Sequence, residues 1–237
     1  MGDPEAHHLA EAKSGENLRE IGVPITTEEE IDADAIEAGR LLFAGSCDFY
    51  NGAQRLDQLP PISLPEVAFA GRSNVGKSSL LNALTGRNAL ARVSSTPGRT
   101  KQLNFFNLSN RLALVDMPGY GYAQAAKSVK EDWQGLMFAY LRGRPSLRGV
   151  MLLLDARVEI KASDEAVIEL FDRAAILFQI VLTKIDQVKP AVLARKRAEI
   201  DALARKHPAA LHLVLPTSSE TGAGIAELRA VLAGLAA

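Results

Sequence analysis

Beyond Pro65 the chain alternates short apolar runs with stretches in which apolar residues recur at helical spacing. That alternation predicts βαβ units, and hence an α/β fold with a mostly parallel central sheet and helices on both faces. The predicted strands are Val67–Ala70, Leu103–Leu108, Arg111–Asp116, Val150–Asp155, Phe178–Leu182 and Leu211–Leu215. The predicted helices run from about Lys77 to Thr85 and over Val129–Leu141, Asp164–Ala174, Ala191–Lys206 and Ile225–Leu235. Ser109-Asn110 reads as the turn of a hairpin, and Thr96-Pro97-Gly98 punctuates a loop over Asn88–Gln102.

Before Pro65 the pattern is weaker. Residues 1–30 are polar, acidic and aperiodic, a composition that predicts disorder. A short helix is expected over Glu28–Gly39, with Thr27 as cap and Glu30 in the capping-box position. Leu59-Pro60-Pro61 and Pro65 then predict an extended linker. The expected organisation is a largely disordered acidic extension over 1–40, a linker or domain start over 41–64, and one domain over 65–237.

The first candidate chemistry follows the first strand. Gly71-Arg72-Ser73-Asn74-Val75-Gly76-Lys77-Ser78 fits G-x-x-x-x-G-K-[ST], the phosphate cradle that joins a strand to a helix. Two glycines let the backbone wrap the phosphates, and the helix adds the positive end of its dipole. Lys77 is expected to reach the β- and γ-phosphates, and the Ser78 hydroxyl to ligate Mg²⁺. A second segment, Asp116-Met117-Pro118-Gly119, ends the strand Arg111–Asp116 and has the D-x-x-G form. Its acid is expected at the Mg²⁺ hydration shell, and the Gly119 N–H at a γ-phosphate.

Thr183-Lys184-Ile185-Asp186 has the T/N-K-x-D form and discriminates between bases. A carboxylate accepts two hydrogen bonds from guanine, whereas adenine lacks both donors and leaves it unpaired. Threonine in first place lacks the amide that helps brace such sites. Thr217-Ser218-Ser219, after the strand ending at Leu215, fits the segment whose backbone touches the guanine carbonyl. The threonine that closes over Mg²⁺ is Thr96 or Thr100. Thr100 is preferred, because Gly98-Arg99-Thr100-Lys101-Gln102 leads directly into the strand Leu103–Leu108. Together these segments, in this order, predict a P-loop NTPase of the G-domain type that binds GTP and GDP.

Charge and cysteine usage add a setting. Residues 1–40 carry 11 acidic and 3 basic side chains, and the rest of the chain carries a net charge of +7. An acidic leader before a basic body points to a polyanionic partner or to a solvated surface alone. Arg195, Lys196, Arg197, Arg205 and Lys206 on one predicted helix, and Arg142, Arg144 and Arg148 around Pro145, fall in segments expected to be exposed. The single cysteine, Cys47, excludes an intramolecular disulfide and fits a reducing cytoplasm. No run approaches the roughly 18 apolar residues of a membrane helix, and the N-terminus resembles neither a signal nor a transit peptide. No membrane partner is expected, and a monomer is the simplest state.

The runs Pro65–Leu84, Thr96-Pro97-Gly98-Arg99-Thr100 with Asn104-Phe105-Phe106, and Asp116–Ala123 resemble the EngB (YihA/YsxC) GTPases of bacteria. The resemblance covers about residues 40–235. It implies GTP, Mg²⁺, and a partner in the large ribosomal subunit or its RNA, with roles in subunit assembly and in cell division and septation. Lys101 departs from the family pattern, which has an uncharged residue there, and the acidic leader is longer than expected.

Many GTPases carry a water-orienting glutamine just after D-x-x-G. Here the position is Tyr120, which predicts slow intrinsic hydrolysis completed by a partner or a bound cation. Asn74 in the cradle is a candidate ligand for K⁺, or merely a loop brace. The candidate catalytic residues are thus Lys77, Thr100, Gly119 and Asn74, and the candidate metal ligands Ser78 and Thr100. Tyr120 and Tyr122 either stack on RNA or pack the switch region. Two other readings stay open: a binding switch with negligible hydrolysis, and a P-loop kinase, against which Thr183–Asp186 argues.

Overall fold

The computed structural model describes residues 27–28, 31–87, 90, 102–120 and 127–236, and for 127–134 the backbone alone. Its strands are β1 (Cys47–Ala53), β2 (Glu66–Gly71), β3 (Leu103–Leu108), β4 (Leu112–Asp116), β5 (Leu147–Asp155), β6 (Phe178–Thr183) and β7 (Ala210–Pro216). The helices are α1 (Ala33–Ala44), α2 (Lys77–Thr85), α3 (Lys127–Gly143), α4 (Ala162–Ala174), α5 (Pro190–Ala204) and α6 (Ile225–Gly234). The strands form one sheet in the order β1-β3-β4-β2-β5-β6-β7. Only the pairs β1–β3 and β3–β4 are antiparallel.

Alternate residues of a strand face opposite sides of its sheet, and here both sides are covered. On one side Ala68, Ala70, Val150, Leu152 and Leu154 pack with Met137, Tyr140, Ile168, Phe171 and Ile200 of α3, α4 and α5. On the other, Val67, Phe69, Met151 and Leu153 pack with Leu42, Leu80, Leu84, Leu228 and Val231 of α1, α2 and α6. A strand buried on both faces reads as a near-continuous apolar run, which is why β2, β5 and β6 were legible as strands. β2 lies between β4 and β5, with the next strands leaving to either side. Such a reversal opens a crevice at the carboxyl end of the strand, and the candidate cradle begins there.

The hairpin matches expectation in detail. Ser109 (φ 56°) and Asn110 (φ 55°) both take left-handed backbone. Two such residues make the tight turn whose twist suits antiparallel strands, and asparagine tolerates that conformation.

The N-terminal part differs from expectation. The helix runs over Ala33–Ala44 rather than Glu28–Gly39, and its cap is Asp32, whose carboxylate accepts from the Ala35 N–H at 2.8 Å. Glu30 lies outside the described residues. Gly39 does not end the helix. It lets α1 approach α6, since a Cβ there would sit 2.6 Å from the Ala230 nitrogen. β1, in the stretch read as a linker or domain start, is an edge strand paired with β3. A register shift between Phe49 and Asn51 and an irregular burial pattern erase the period of two by which strands are read. Residues 31–58 therefore contribute a helix and a strand to the sheet and core.

Two basic residues expected on the surface are buried. Lys196 faces inward and pairs with Glu199 at 3.1 Å. Arg144 binds Glu66 through Nη2 at 2.5 Å and through Nε at 2.9 Å, while the Tyr140 hydroxyl donates to Glu66 at 2.9 Å. Burial and the neighbouring Glu66 carboxylate push the Tyr140 phenol well above its usual range. This network ties the first residue of β2 to the end of α3, so removing one charge strands the other in the core. Arg144→Ala is expected to lower the unfolding free energy by about 3–5 kcal/mol. Arg148→Ala, on an exposed side chain, should change it by less than about 0.5 kcal/mol. Denaturant midpoints measure both, and equal losses would contradict the assignment.

Candidate nucleotide site

The cradle starts where β2 ends. Asn74 (φ 67°) and Gly76 (φ 106°) take left-handed backbone, the geometry in which successive N–H groups turn toward one concavity. Gly71 has no room for a side chain, because a Cβ would lie 2.8 Å from Val75 Cγ1. α2 begins at Lys77 with Gly76 as an N-cap that offers no side chain. The free N–H groups and positive dipole end of α2 therefore open onto the loop. Lys77 Nζ forms an ion pair with Asp116 Oδ1, joining the first two motifs.

The D-x-x-G segment is stitched to the same loop through its backbone. The Met117 N–H donates to Phe69 O at 3.0 Å, and the Tyr120 N–H to Gly71 O at 3.2 Å. The Ser73 N–H donates in turn to Tyr120 O at 3.1 Å, making a parallel bridge between Arg72 and Tyr120. Gly119 touches the cradle closely, and a Cβ on it would lie 3.1 Å from Ser73 Cα. Tyr120 itself is buried, and its hydroxyl donates to Asp164 Oδ1 at 2.9 Å. It packs inward against α4 and does not present its ring for stacking on RNA. Burial pushes its phenol well above the usual range, and the Asp164 carboxylate adds to the shift.

The base end holds the cradle from the other side. Thr183 Oγ1 donates to Val75 O at 2.7 Å, so the hydroxyl supplies a brace where an asparagine amide was expected to be missed. Lys184 (φ 59°) donates to Asn74 O at 2.6 Å and to Asp155 Oδ2 at 2.9 Å. Burial tends to raise the Asp155 pKa, but hydrogen bonds from Arg157 and Lys184 outweigh it and hold the carboxyl at about 2. Asp186 is exposed, and its Oδ1 accepts from the buried Ser218 hydroxyl at 2.6 Å. Thr217 anchors its loop by donating from N–H and Oγ1 to Leu182 O at 2.6 and 2.9 Å. Gly224 (φ 73°) closes that loop, where a Cβ would collide with Pro216 O.

The structure thus gathers Gly71–Ser78, Asp116–Gly119, Thr183–Asp186 and Thr217–Ser219 at the carboxyl ends of β2, β4, β6 and β7. Thr96, Gly98, Arg99, Thr100, Lys101 and Tyr122 lie outside the described residues. Gln102 donates to Asn104 Oδ1 at 2.7 Å and lies against Gly52, with no hydrogen bond to the cradle among the described residues. Asp155, Arg157 and Asp164 were not anticipated. Asp155 could have been, since it ends an apolar strand as Asp116 does; Asp164 was hidden because it reads as an ordinary first-turn helix acid.

Fold and site together define a class, the P-loop GTPases of the G-domain type. Comparison with known proteins takes this further. The family model for 50S ribosome-binding GTPase matches residues 66–184. A probable GTP-binding protein EngB of Granulibacter bethesdensis is 71% identical over 209 residues, covering 88% of this chain and 94% of the relative. Its counterpart in Gluconobacter oxydans is 71% identical over 201 residues, covering 85% and 88%. A crystal structure of a probable GTP-binding protein engB superposes with a TM-score of 0.58 at 24% identity, over 72% of this chain and 98% of that one, a likeness of fold. The chain belongs to the EngB family of GTP-binding proteins, and it is a GTPase.

Base choice is the sharpest test of the site. Asp186→Asn should weaken GTP by about 1–3 kcal/mol and improve xanthosine triphosphate, because an amide donor suits the 2-oxo group of xanthine. Nucleotide competition read by fluorescence measures it, and unchanged selectivity would refute the role given to Asp186.

Proposed function

We propose that this GTPase is a molecular switch in assembly of the large ribosomal subunit, needed for normal cell division and septation and working in the cytoplasm. The observation that carries the partner is the match to a family model described as ribosome-binding. The surface supports it. Arg142, Arg148, Arg195, Arg205 and Lys206 are exposed, a set of cations free to meet phosphate. Glu28 pairs with Arg197 on α5, so an acid of the leader reaches the basic helix.

In this reading the N–H groups of Gly71–Ser78 hold the phosphates, Lys77 balances their charge, and Gly119 senses the γ-phosphate. Asp186 reads guanine, Lys184 lies along the base, and the backbone of Thr217–Ser219 meets the guanine carbonyl. Arg99 and Thr100 are assigned as contacts of the triphosphate. The residue types suit Mg²⁺: Ser78 follows Lys77 in the chain, and the Lys77 ammonium pairs with the buried Asp116 carboxylate. Hard oxygen donors of this kind suit a small divalent cation. Ser78 and Thr100 would hold the ion, which supplies charge neutralisation at the phosphates. Asn74 has an exposed side chain on a left-handed residue of the cradle, a position from which it can help hold K⁺.

The partner is tested by sedimentation with purified large subunits. Log affinity should fall linearly with log salt, with a slope of up to about −4 for the exposed cations. The GTP-analogue form should bind more tightly than the GDP form, and deleting residues 1–30 should strengthen binding or leave it unchanged. Binding indifferent to salt and nucleotide would refute the ribosomal reading. The cation is tested separately. Hydrolysis should rise when K⁺ replaces Na⁺ at fixed ionic strength, and Asn74→Ala should erase the difference. Equal wild-type rates in the two salts would discard the role.

A further inference from the structure

Only Pro118 and Gly119 separate two anchored points of the D-x-x-G loop. On one side the Met117 N–H is bound to Phe69 O, and on the other Tyr120 is bridged to Arg72 through its own N–H and carbonyl. Proline fixes its own φ, which leaves the span few free torsions. The remaining freedom depends on how firmly Tyr120 is held.

Tyr120 is held at both ends. Beyond the backbone bridge, its hydroxyl reaches Asp164 Oδ1 at 2.9 Å, with the two residues 6% and 2% exposed. The second oxygen of Asp164 accepts from the Lys161 N–H at 2.9 Å and so closes the start of α4. Asp164 is therefore itself immobilised, and it lines with Arg72, Ser73 and Asn74 a cleft of about 250 Å³ beside the cradle. The hydroxyl points into the protein, toward a helix that carries none of the four gathered motifs. It acts through the loop and not on the reacting atoms.

We infer that Tyr120, held by Asp164, is a positioning residue for GTP hydrolysis: it fixes the Gly119 amide where the γ-phosphate is read. The position that in many GTPases orients water by an amide side chain here secures its neighbour's backbone instead. The linkage also makes α4 part of the machinery that distinguishes triphosphate from diphosphate.

The test uses the full chain. Tyr120→Phe keeps the ring and removes the hydrogen bond. Binding of a non-hydrolysable GTP analogue and single-turnover hydrolysis should each fall about tenfold, the scale of a lost bond to a charged group. GDP affinity should stay within about twofold, because GDP presents nothing to Gly119. Asp164→Asn keeps an oxygen for Lys161 and offers an amide to Tyr120, so its loss should be smaller, about threefold. In the double variant Asp164→Asn should change the analogue-to-GDP ratio no further. A purely structural bond would lower the thermal midpoint while weakening both nucleotides alike or neither, and either result overturns the inference. If Tyr120→Phe does not fold, Asp164→Asn alone decides, and an unchanged ratio overturns it.

Discussion

A loop that wraps phosphates with its backbone cannot also fill its own interior, and the rest of this site follows from that constraint. Gly71, Gly76 and the left-handed Asn74 give the cradle its curvature at the expense of side chains that would stiffen it. The stiffness comes from outside. Thr183 and Lys184 hold the carbonyls of Val75 and Asn74, and the backbone of Tyr120 holds Gly71 and Ser73. The Thr183–Asp186 and Asp116–Gly119 segments, to which the proposed function gives the base and the γ-phosphate, thus adjoin the very residues that shape the cradle.

The braces reach the cradle because strand register puts them there. Phe69 lies opposite Asp116, Gly71 opposite Leu153, and Asp155 opposite Thr183. β4 therefore ends beside Phe69, two residues before the cradle begins, and β5 and β6 end side by side. Beneath the site the buried Glu66–Arg144–Tyr140 group fixes the opposite end of β2 to α3. A shift of β2 would break a buried ion pair as well as misplace the cradle, which couples the stability of the core to the geometry of the site.

What was legible in the sequence was whatever the chain must do locally. Lys77–Thr85 and the Ser109-Asn110 turn were placed correctly because a motif or a turn demands particular residues at particular torsions. Four candidate segments were singled out because each sits where an apolar strand stops, and the structure brings them to one end of the sheet. The helix Ala33–Ala44 was misplaced because Thr27 and Glu30 form a capping-box pattern upstream of the actual cap, Asp32, and the spacing of Ala35, Gly39, Leu42 and Phe43 shows its buried face only once α6 is present. β1 was missed because an edge strand with a bulge carries no period. Arg144 and Lys196 were read as surface because charge counts take no account of a partner, and Glu66 and Glu199 are invisible as partners until the chain folds. The Tyr120–Asp164 bond spans 44 residues, and no spacing rule announces it.

The central claim is that these separated segments form one guanine-specific nucleotide site. Displacement of a fluorescent GTP analogue from the unmutated protein by GTP, GDP and ATP tests it most directly. GTP and GDP should displace the analogue, and ATP should need at least about a hundredfold higher concentration, since it leaves the Asp186 carboxylate unpaired. Displacement by ATP at the same concentration as GTP would contradict the account.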